Sequence, residues 1–389
     1  MDTPLVPRMH RFGTTIFAEM SQLATRTGAV NLGQGFPDTD GPALIKDAAE
    51  RAIATGDGGA NQYPPGRGMP ALREAVAEHQ RTRYGLELDP ETQVIATVGA
   101  TEAIAASVLA LCAPGDEVVT FEPYYDSYTA MFALAGAEHR TCTLRAPTYA
   151  IDEDELRAAF SPRTRVVLLN TPHNPTGKVF TRAELQLVAD LAREFDAVVV
   201  TDEVYEHLTF DGAEHVPMAT LPGMAERTLT IGSAGKSFSL TGWKVGWLSG
   251  PAELVQAALT VKQYLTFSGG GPFQLAVAEG LRHGGDFLAE LRTDLDRRRH
   301  LLVDGLRSAG FEAWLPQGTY FAVADAAPLG WTDATELCWK LPELCGVVAI
   351  PVSAFHDDPA ANASLLRFAF CKDDAVVTEG VERLQRLRR

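Results

Sequence analysis

Positive charge is in short supply: 34 Lys and Arg against 50 Asp and Glu leave a formal net charge of −16 at pH 7. Nucleic acid and anionic membrane both call for a basic surface, so neither is an expected partner. Cysteine is scarce as well. The five (Cys112, Cys142, Cys338, Cys345, Cys371) include no Cys-x-x-Cys pair, and an odd number cannot close a full disulfide framework. They read as small buried apolar side chains, and no metal site is expected. No run approaches the roughly 18 apolar residues of a membrane span, and the N-terminal stretch lacks the apolar core of a secretion signal. A reduced, cytoplasmic protein is the expectation. Internal repeats and low-complexity linkers are also absent. What remains is an ordinary globular composition, 46% hydrophobic and 22% charged over 389 residues, enough for about two domains.

Residues 1–44 are irregular, apart from a short amphipathic helix expected near 15–24. From 45 to 284 strand and helix patterns alternate. Strands are expected at 93–98, 117–121, 165–169, 197–200 and 228–231, and helices at 101–111 and 181–195. The second helix opens on Thr181-Arg182-Ala183-Glu184, which fits a capping box. This rhythm predicts a mainly parallel sheet covered by helices on both faces. A long helix over 287–308 ends at Gly310, and short mixed elements follow. The expected fold class is α/β. A large domain spans 45–284, and a smaller α+β domain joins 285–389 to 1–44.

Three polar clusters sit at the C-terminal ends of expected strands. Asn170-Thr171-Pro172-His173-Asn174-Pro175-Thr176-Gly177 follows 165–169. Thr201-Asp202-Glu203-Val204-Tyr205 follows 197–200. Ser233-Ala234-Gly235-Lys236-Ser237-Phe238-Ser239-Leu240-Thr241-Gly242-Trp243-Lys244 follows 228–231. In open parallel sheets that edge binds ligands. Most lysines are solvated, and a bare Asn-Pro-Thr-Gly is usually a turn. Lys236, however, lies in a loop of small residues where a flat group could approach the backbone, and burial there would free its amine as a nucleophile.

The ordered set Asn174, Asp202, Tyr205, Lys236 and Arg367 resembles the fold-type-I pyridoxal-phosphate aminotransferases, from Asn31 to Lys372. The implied fold is a large domain with a mainly parallel, seven-stranded type of sheet between helices, plus a smaller α+β domain. The implied cofactor is pyridoxal 5′-phosphate. Lys236 would carry it and move the substrate α-proton. Asp202 would keep the ring nitrogen protonated. Asn174 and Tyr205 would hydrogen-bond the ring oxygen. Val98-Gly99-Ala100-Thr101 opens a helix after a strand, and such a helix N-terminus favours phosphate. Ser233 and Lys244 add a hydroxyl and a cation there. Many relatives have arginine where Lys244 stands, so the bidentate fork is lost. Tyr125 would form the ring platform, with Tyr124 the alternative. Tyr63 matches the tyrosine that reaches the phosphate of a neighbouring subunit, which implies a homodimer with shared active sites. Arg367, the lone charge in an apolar run, would grip the substrate α-carboxylate, with the Gly35 backbone facing the same group.

Within that family, Asn31 to Asp38, Glu122-Pro123-Tyr124-Tyr125 and the Lys236 run resemble the kynurenine/glutamine/methionine branch. Phe17-Ala18-Glu19-Met20, Asn61-Gln62-Tyr63-Pro64-Pro65-Gly66 and Val98-Gly99-Ala100-Thr101-Glu102-Ala103-Ile104 resemble actinobacterial N-succinyldiaminopimelate aminotransferases. Phe17 replaces a tryptophan of the kynurenine members, and Gly269-Gly270-Gly271 replaces bulkier residues, which enlarges the mouth. The resemblance implies ping-pong transfer of an amino group from an amino acid to a 2-oxo acid. N-succinyl-LL-2,6-diaminopimelate and 2-oxoglutarate are the expected pair. Kynurenine, methionine or glutamine transamination, and β-elimination of cysteine conjugates, are the alternatives. A regulator on the same fold would need a preceding helix-turn-helix domain of about 70 residues, for which the start at Phe17 leaves no room.

Overall fold

The computed structural model describes residues 5–358, 360 and 362–388. Strands are numbered along the chain from β1 (Val30–Asn31). The central layer is a seven-stranded sheet of β2 (Val94–Val98), β3 (Glu117–Glu122), β4 (Glu138–Thr143), β5 (Thr164–Asn170), β6 (Val198–Asp202), β7 (Thr228–Ser233) and β8 (Val245–Ser249). Its order is β2-β8-β7-β6-β5-β3-β4. The β3/β4, β3/β5, β5/β6 and β6/β7 pairs are parallel, while β8 is antiparallel to both β2 and β7.

Continuous apolar runs make β5 and β6 because both faces are covered. Val167, Leu169 and Val199 pack with Leu185, Val188 and Ala192 of the helix Arg182–Glu194. Their neighbours Val166, Leu168 and Val200 point the other way, onto Ala103, Ile104 and Val108 of the helix Gly99–Leu111. Full burial of each such side chain is worth about 1.5–3 kcal/mol, and a slip of one residue would exchange the two faces. The helix Arg182–Glu194 starts with the expected capping box: Thr181 Oγ1 accepts from Glu184 N at 3.2 Å, and Thr181 N donates back to Glu184 Oε2 at 2.9 Å.

A second, four-stranded sheet contains β9 (Glu312–Ala313), β10 (Phe321–Asp325), β12 (Ile350–Pro351) and β13 (Leu365–Ala369), ordered β12-β13-β10-β9. β11 (Val347–Val348) instead pairs in parallel with β1. Around these strands, Met20, Leu23 and Leu32 pack with Leu302, Leu306, Leu337, Leu341 and Phe368. Val204, Leu208 and Phe210 join that core from the middle of the chain. The N-terminal helix runs Ile16–Thr27, three residues beyond expectation, because Gly28 at φ 64 is the first residue free to take the left-handed cap. The long helix is Gly285–Ala309, closed by Gly310 at φ 101.

Two boundaries correct the sequence reading. Asp202 is the last residue of β6, paired with Asn170 and Ile231, and does not belong to the loop after it. Lys236 lies in a short helical turn, Ala234–Ser237, which small residues allow immediately after β7. Among the described residues no helix is long and apolar enough to cross a membrane.

Candidate active site

The C-terminal ends of β5, β6 and β7 lie side by side, and a cavity of about 780 Å³ opens beyond them. Lys236, Asp202, Asn174, Tyr205, Arg367 and Phe17 all line it. Residues separated by some 350 positions in the chain thus meet because β13 of the second sheet faces the edge of the first.

Lys236 Nζ donates to the Tyr320 hydroxyl at 3.0 Å and lies 3.5 Å from the Gly35 carbonyl oxygen. Burial pulls its pKa from 10.5 down to about 8; Asp202 opposes the shift, and Arg367 and Lys244 reinforce it. A lysine so placed is about a tenth neutral at pH 7, against well under a thousandth for an ordinary lysine.

Asp202 is buried, and its Oδ2 accepts from the Tyr128 hydroxyl at 2.6 Å. Burial raises its pKa, and the Tyr128 bond works against the rise. Asn170 holds the backbone there, donating from Nδ2 to the Asp202 carbonyl (2.8 Å) and accepting from Asn174 N at Oδ1 (2.7 Å). Tyr205 is buried three residues on, edge-on to Tyr320 with ring centroids 5.3 Å apart. The far side of this loop is tied down by Glu206, which accepts from Tyr84 (2.6 Å) and pairs with His79 (3.0 Å).

Gly99 sits at φ 73 at the start of the helix Gly99–Leu111. A Cβ there would come within 3.1 Å of Lys244 Nζ, so the turn and the cation share space that only glycine leaves open. Ala100, Thr101, Ser233 and Lys244 line the cavity around it. Lys244 itself has φ 56, a left-handed conformation that costs a non-glycine residue roughly 1–2 kcal/mol. Between the two anchor points runs β8: Gly246 pairs with Thr97 of β2 on one side and Ser233 of β7 on the other. A Cβ on Gly246 would lie 2.7 Å from the Gly99 carbonyl carbon.

Arg367 on β13 is buried and its hydrogen bonds go to neutral oxygens, Asn174 Oδ1 at 3.0 Å and the Gly33 carbonyl at 2.7 Å. Its Nε has no partner. The guanidinium stacks 4.0 Å from the Phe321 centroid and 5.0 Å from that of Phe17. Burial lowers its pKa to about 10, so it stays charged at neutral pH. A buried cation with neutral partners and a spare donor suits an incoming carboxylate. It is Gly33 that touches Arg367; Gly35 turns its carbonyl toward Tyr320 and Lys236.

Of the two platform candidates, Tyr125 lines the cavity, while Tyr124 donates to Asp357 at 2.7 Å. Burial raises the Tyr125 pKa to about 12. Tyr63 is outside the cavity of its own chain, 85% exposed and edge-on to Phe267. The glycine run ends at the start of the helix Gly271–His283, also away from the cavity.

Sequence reasoning missed four residues. Tyr128 (after Asp126-Ser127) and Tyr320 (after Thr319) belong to no motif that marks their hydroxyls. Asn170 reads as part of a turn. Arg11, stacked 4.9 Å over Phe12 and lining the cavity, lies in an irregular N-terminal stretch without a motif.

The donor set suits pyridoxal phosphate. It offers an amine whose pKa burial has lowered to about 8, a buried carboxylate, and a glycine turn at a helix N-terminus whose free space a Cβ would fill. A family profile described as "Aminotransferase class I and II" matches residues 27–384. A probable N-succinyldiaminopimelate aminotransferase of Mycobacterium tuberculosis is 53% identical, with 97% of each chain covered. A methionine aminotransferase of Escherichia coli is 39% identical over 99% of this chain and all of its own. The solved structure of N-succinyldiaminopimelate aminotransferase from Mycobacterium tuberculosis superposes with a TM-score of 0.96 at 52% identity, covering 98% of this chain and 100% of that one.

Proposed function

The chain belongs to the class I and II aminotransferases, and from that premise we propose that it transaminates N-succinyl-LL-2,6-diaminopimelate, with 2-oxoglutarate as acceptor. The enzyme is a pyridoxal-phosphate-dependent aminotransferase of fold type I, acting on an amino acid and a 2-oxo acid. The observation that carries the finer reading is that two arginines, the buried Arg367 and the exposed Arg11, line one large cavity. Arg367 offers a buried, carboxylate-free fork, and Arg11 lines the same space of about 780 Å³. A donor with an α-carboxylate and further carboxylates on a long side chain answers both cations.

In this reading Gly99, Ala100, Thr101, Ser233 and Lys244 hold the cofactor phosphate, with Tyr63 of a second copy of the chain. Tyr125 backs the ring, and Asn174 and Tyr205 hold its oxygen. Bound pyridoxal phosphate supplies an aldehyde for the donor amine and an electron sink for the charge left when the α-proton departs. Asp202 keeps the ring nitrogen protonated, and Tyr128 holds that carboxylate in place. Lys236 Nζ takes the α-proton and would give it up again on the cofactor side, since return to Cα would leave the donor an amino acid. Arg367, over Phe17 and Phe321, fixes the donor by its α-carboxylate, so that bond directions at Cα are set before the proton moves.

A homodimer follows from the same reading. Tyr63 (85% exposed), Tyr264 (84%), Leu265 (47%) and Phe267 (49%) lie open. A second copy covering them would bring Tyr63 and the glycine run to the neighbour's cavity. The division into a large domain at 45–284 and a small one from 1–44 and 285–389 is proposed with it, supported by the core that joins Met20 and Leu32 to Leu302 and Phe368.

The test is a panel of donors (the succinylated diamine, methionine, glutamine, kynurenine, glutamate and a cysteine conjugate) against 2-oxoglutarate and pyruvate, on the wild type and on Gly270→His. The succinylated diamine should have the highest kcat/KM, and Gly270→His should hurt it far more than methionine. A much better methionine or kynurenine rate, with Gly270→His acting equally on all donors, refutes the long substrate. Loss of the conjugate without any need for a keto acid identifies β-elimination.

A further inference from the structure

Tyr320 has no part in the proton transfer described above, yet it holds the Lys236 amine. It precedes β10, is 1% exposed, and its hydroxyl donates to the Gly35 carbonyl at only 2.6 Å. That bond commits its single proton. Its remaining lone pairs can then only accept, and Lys236 Nζ stands 3.0 Å away. Tyr205 packs on the ring edge-on, with centroids 5.3 Å apart, and Phe321 lies at 4.8 Å, these two neighbours being themselves 6.2 Å apart. Burial and these contacts hold the ring, and the Gly35 bond fixes the oxygen at its tip.

We propose that Tyr320 is a positioning residue, an anchored acceptor that pins one N–H of Lys236 so that the amine lone pair is aimed at the substrate α-carbon. A lysine side chain carries about 2 kcal/mol of rotamer entropy, and a free amine swinging in a 780 Å³ cavity would spend little time in the reactive direction. One N–H held by a rigid acceptor removes that freedom and leaves the lone pair unoccupied. Lys236 takes the proton from the α-carbon and would give it up again on the cofactor side. Tyr320 gains and loses none, and burial keeps its hydroxyl protonated by raising its pKa well above the usual phenol value. The bland alternative is a clamp that merely secures the Gly35 segment. The inference rests on Lys236 being the base. Borohydride fixation of the cofactor on the Lys236 peptide, and inactivity of Lys236→Ala, test that premise separately.

The experiment is Tyr320→Phe, which keeps the ring and removes the acceptor. In the holoenzyme, single turnovers with α-protiated and α-deuterated donor should show a rate lower by about tenfold, the scale of one hydrogen bond to a charged group. The α-deuterium effect should be larger and the donor KM within about twofold. In the apo-protein, acylation of Lys236 by an amine-reactive reagent, followed on its peptide by mass spectrometry across pH, should have a lower midpoint. An acceptor that favoured the ammonium has gone. Site-specific 3-fluorotyrosine at position 320 keeps the shape, weakens the acceptor, and should move both readouts partway; it also serves if Tyr320→Phe folds poorly. An unchanged rate and isotope effect, an unmoved labelling midpoint, or a rise in KM alone overturns the proposal, the last in favour of the clamp.

Discussion

Replacing Arg367 by lysine keeps the positive charge and removes the fork. In the native arrangement one guanidinium nitrogen is held by Asn174 Oδ1 (3.0 Å) and another by Gly33 O (2.7 Å), with Nε spare and Phe321 stacked at 4.0 Å. An ammonium can satisfy one of those oxygens or the ligand, and it cannot form two parallel bonds to a carboxylate. The loss is one charge-assisted hydrogen bond, about 1.5–3 kcal/mol. At 1.36 kcal/mol per factor of ten this corresponds to roughly a 10- to 150-fold fall in kcat/KM. Amino donor and oxo-acid acceptor share the carboxylate next to the reacting carbon, so both half-reactions should suffer alike, mostly through KM. Steady-state kinetics with three donors and two acceptors checks this, with thermal melting as a control for folding. A variant that weakens one donor only, or leaves the acceptor KM untouched, refutes the α-carboxylate role.

Asp202→Asn should slow exchange of the donor α-proton in D₂O by about 10²-fold, the scale of one well-placed electrostatic group; unchanged single-turnover exchange would rule the role out. In the apo-protein the Lys236 amine, held at about 8 by burial, should attack added pyridoxal phosphate faster as pH rises through 8 and then level off. The neutral amine is the nucleophile, and its fraction saturates above that pKa. A rate still climbing steeply at pH 10 in stopped-flow absorbance would mark an unperturbed lysine. Tyr63→Ala and Lys236→Ala, each impaired alone, should regain activity when their subunits are exchanged. One site of each mixed dimer is intact, giving about a quarter of wild type at equal mixing. No recovery despite proven exchange excludes a shared site.

The parts of the site legible in the sequence were those where a period breaks. β5, β6 and β7 are apolar runs, so the polar residues that end them stand out as candidates for the ligand edge. The capping box at Thr181 was readable because both partners lie within four residues. Asp202 reads as loop because a carboxylate ends an apolar pattern, although backbone pairing to Asn170 and Ile231 continues through it. Tyr128 and Tyr320 give no signal: a tyrosine outside any motif looks the same whether its hydroxyl meets Asp202, a lysine amine or nothing. Arg11 is hidden for another reason: it is exposed, as a charged residue in irregular chain normally is, and only the folded chain sets it beside the cavity. Such contacts are created by packing between distant segments, and local pattern carries no trace of them.

β8 runs against its neighbours between the strand that leads to Gly99 and the strand that leads to Lys236. It acts as a gauge block. Two strand spacings of roughly 4.8 Å separate the Gly99 turn from the amine, and Gly246 lets the turn seat against the block without a shim. The span is therefore set by backbone hydrogen bonds and is indifferent to side chains at Phe17, Arg11 or the glycine run. Substrate preference can drift through those positions, by evolution or by design, while the distance from the Gly99 turn to the Lys236 amine stays calibrated. Changing the coenzyme would instead mean recutting a strand.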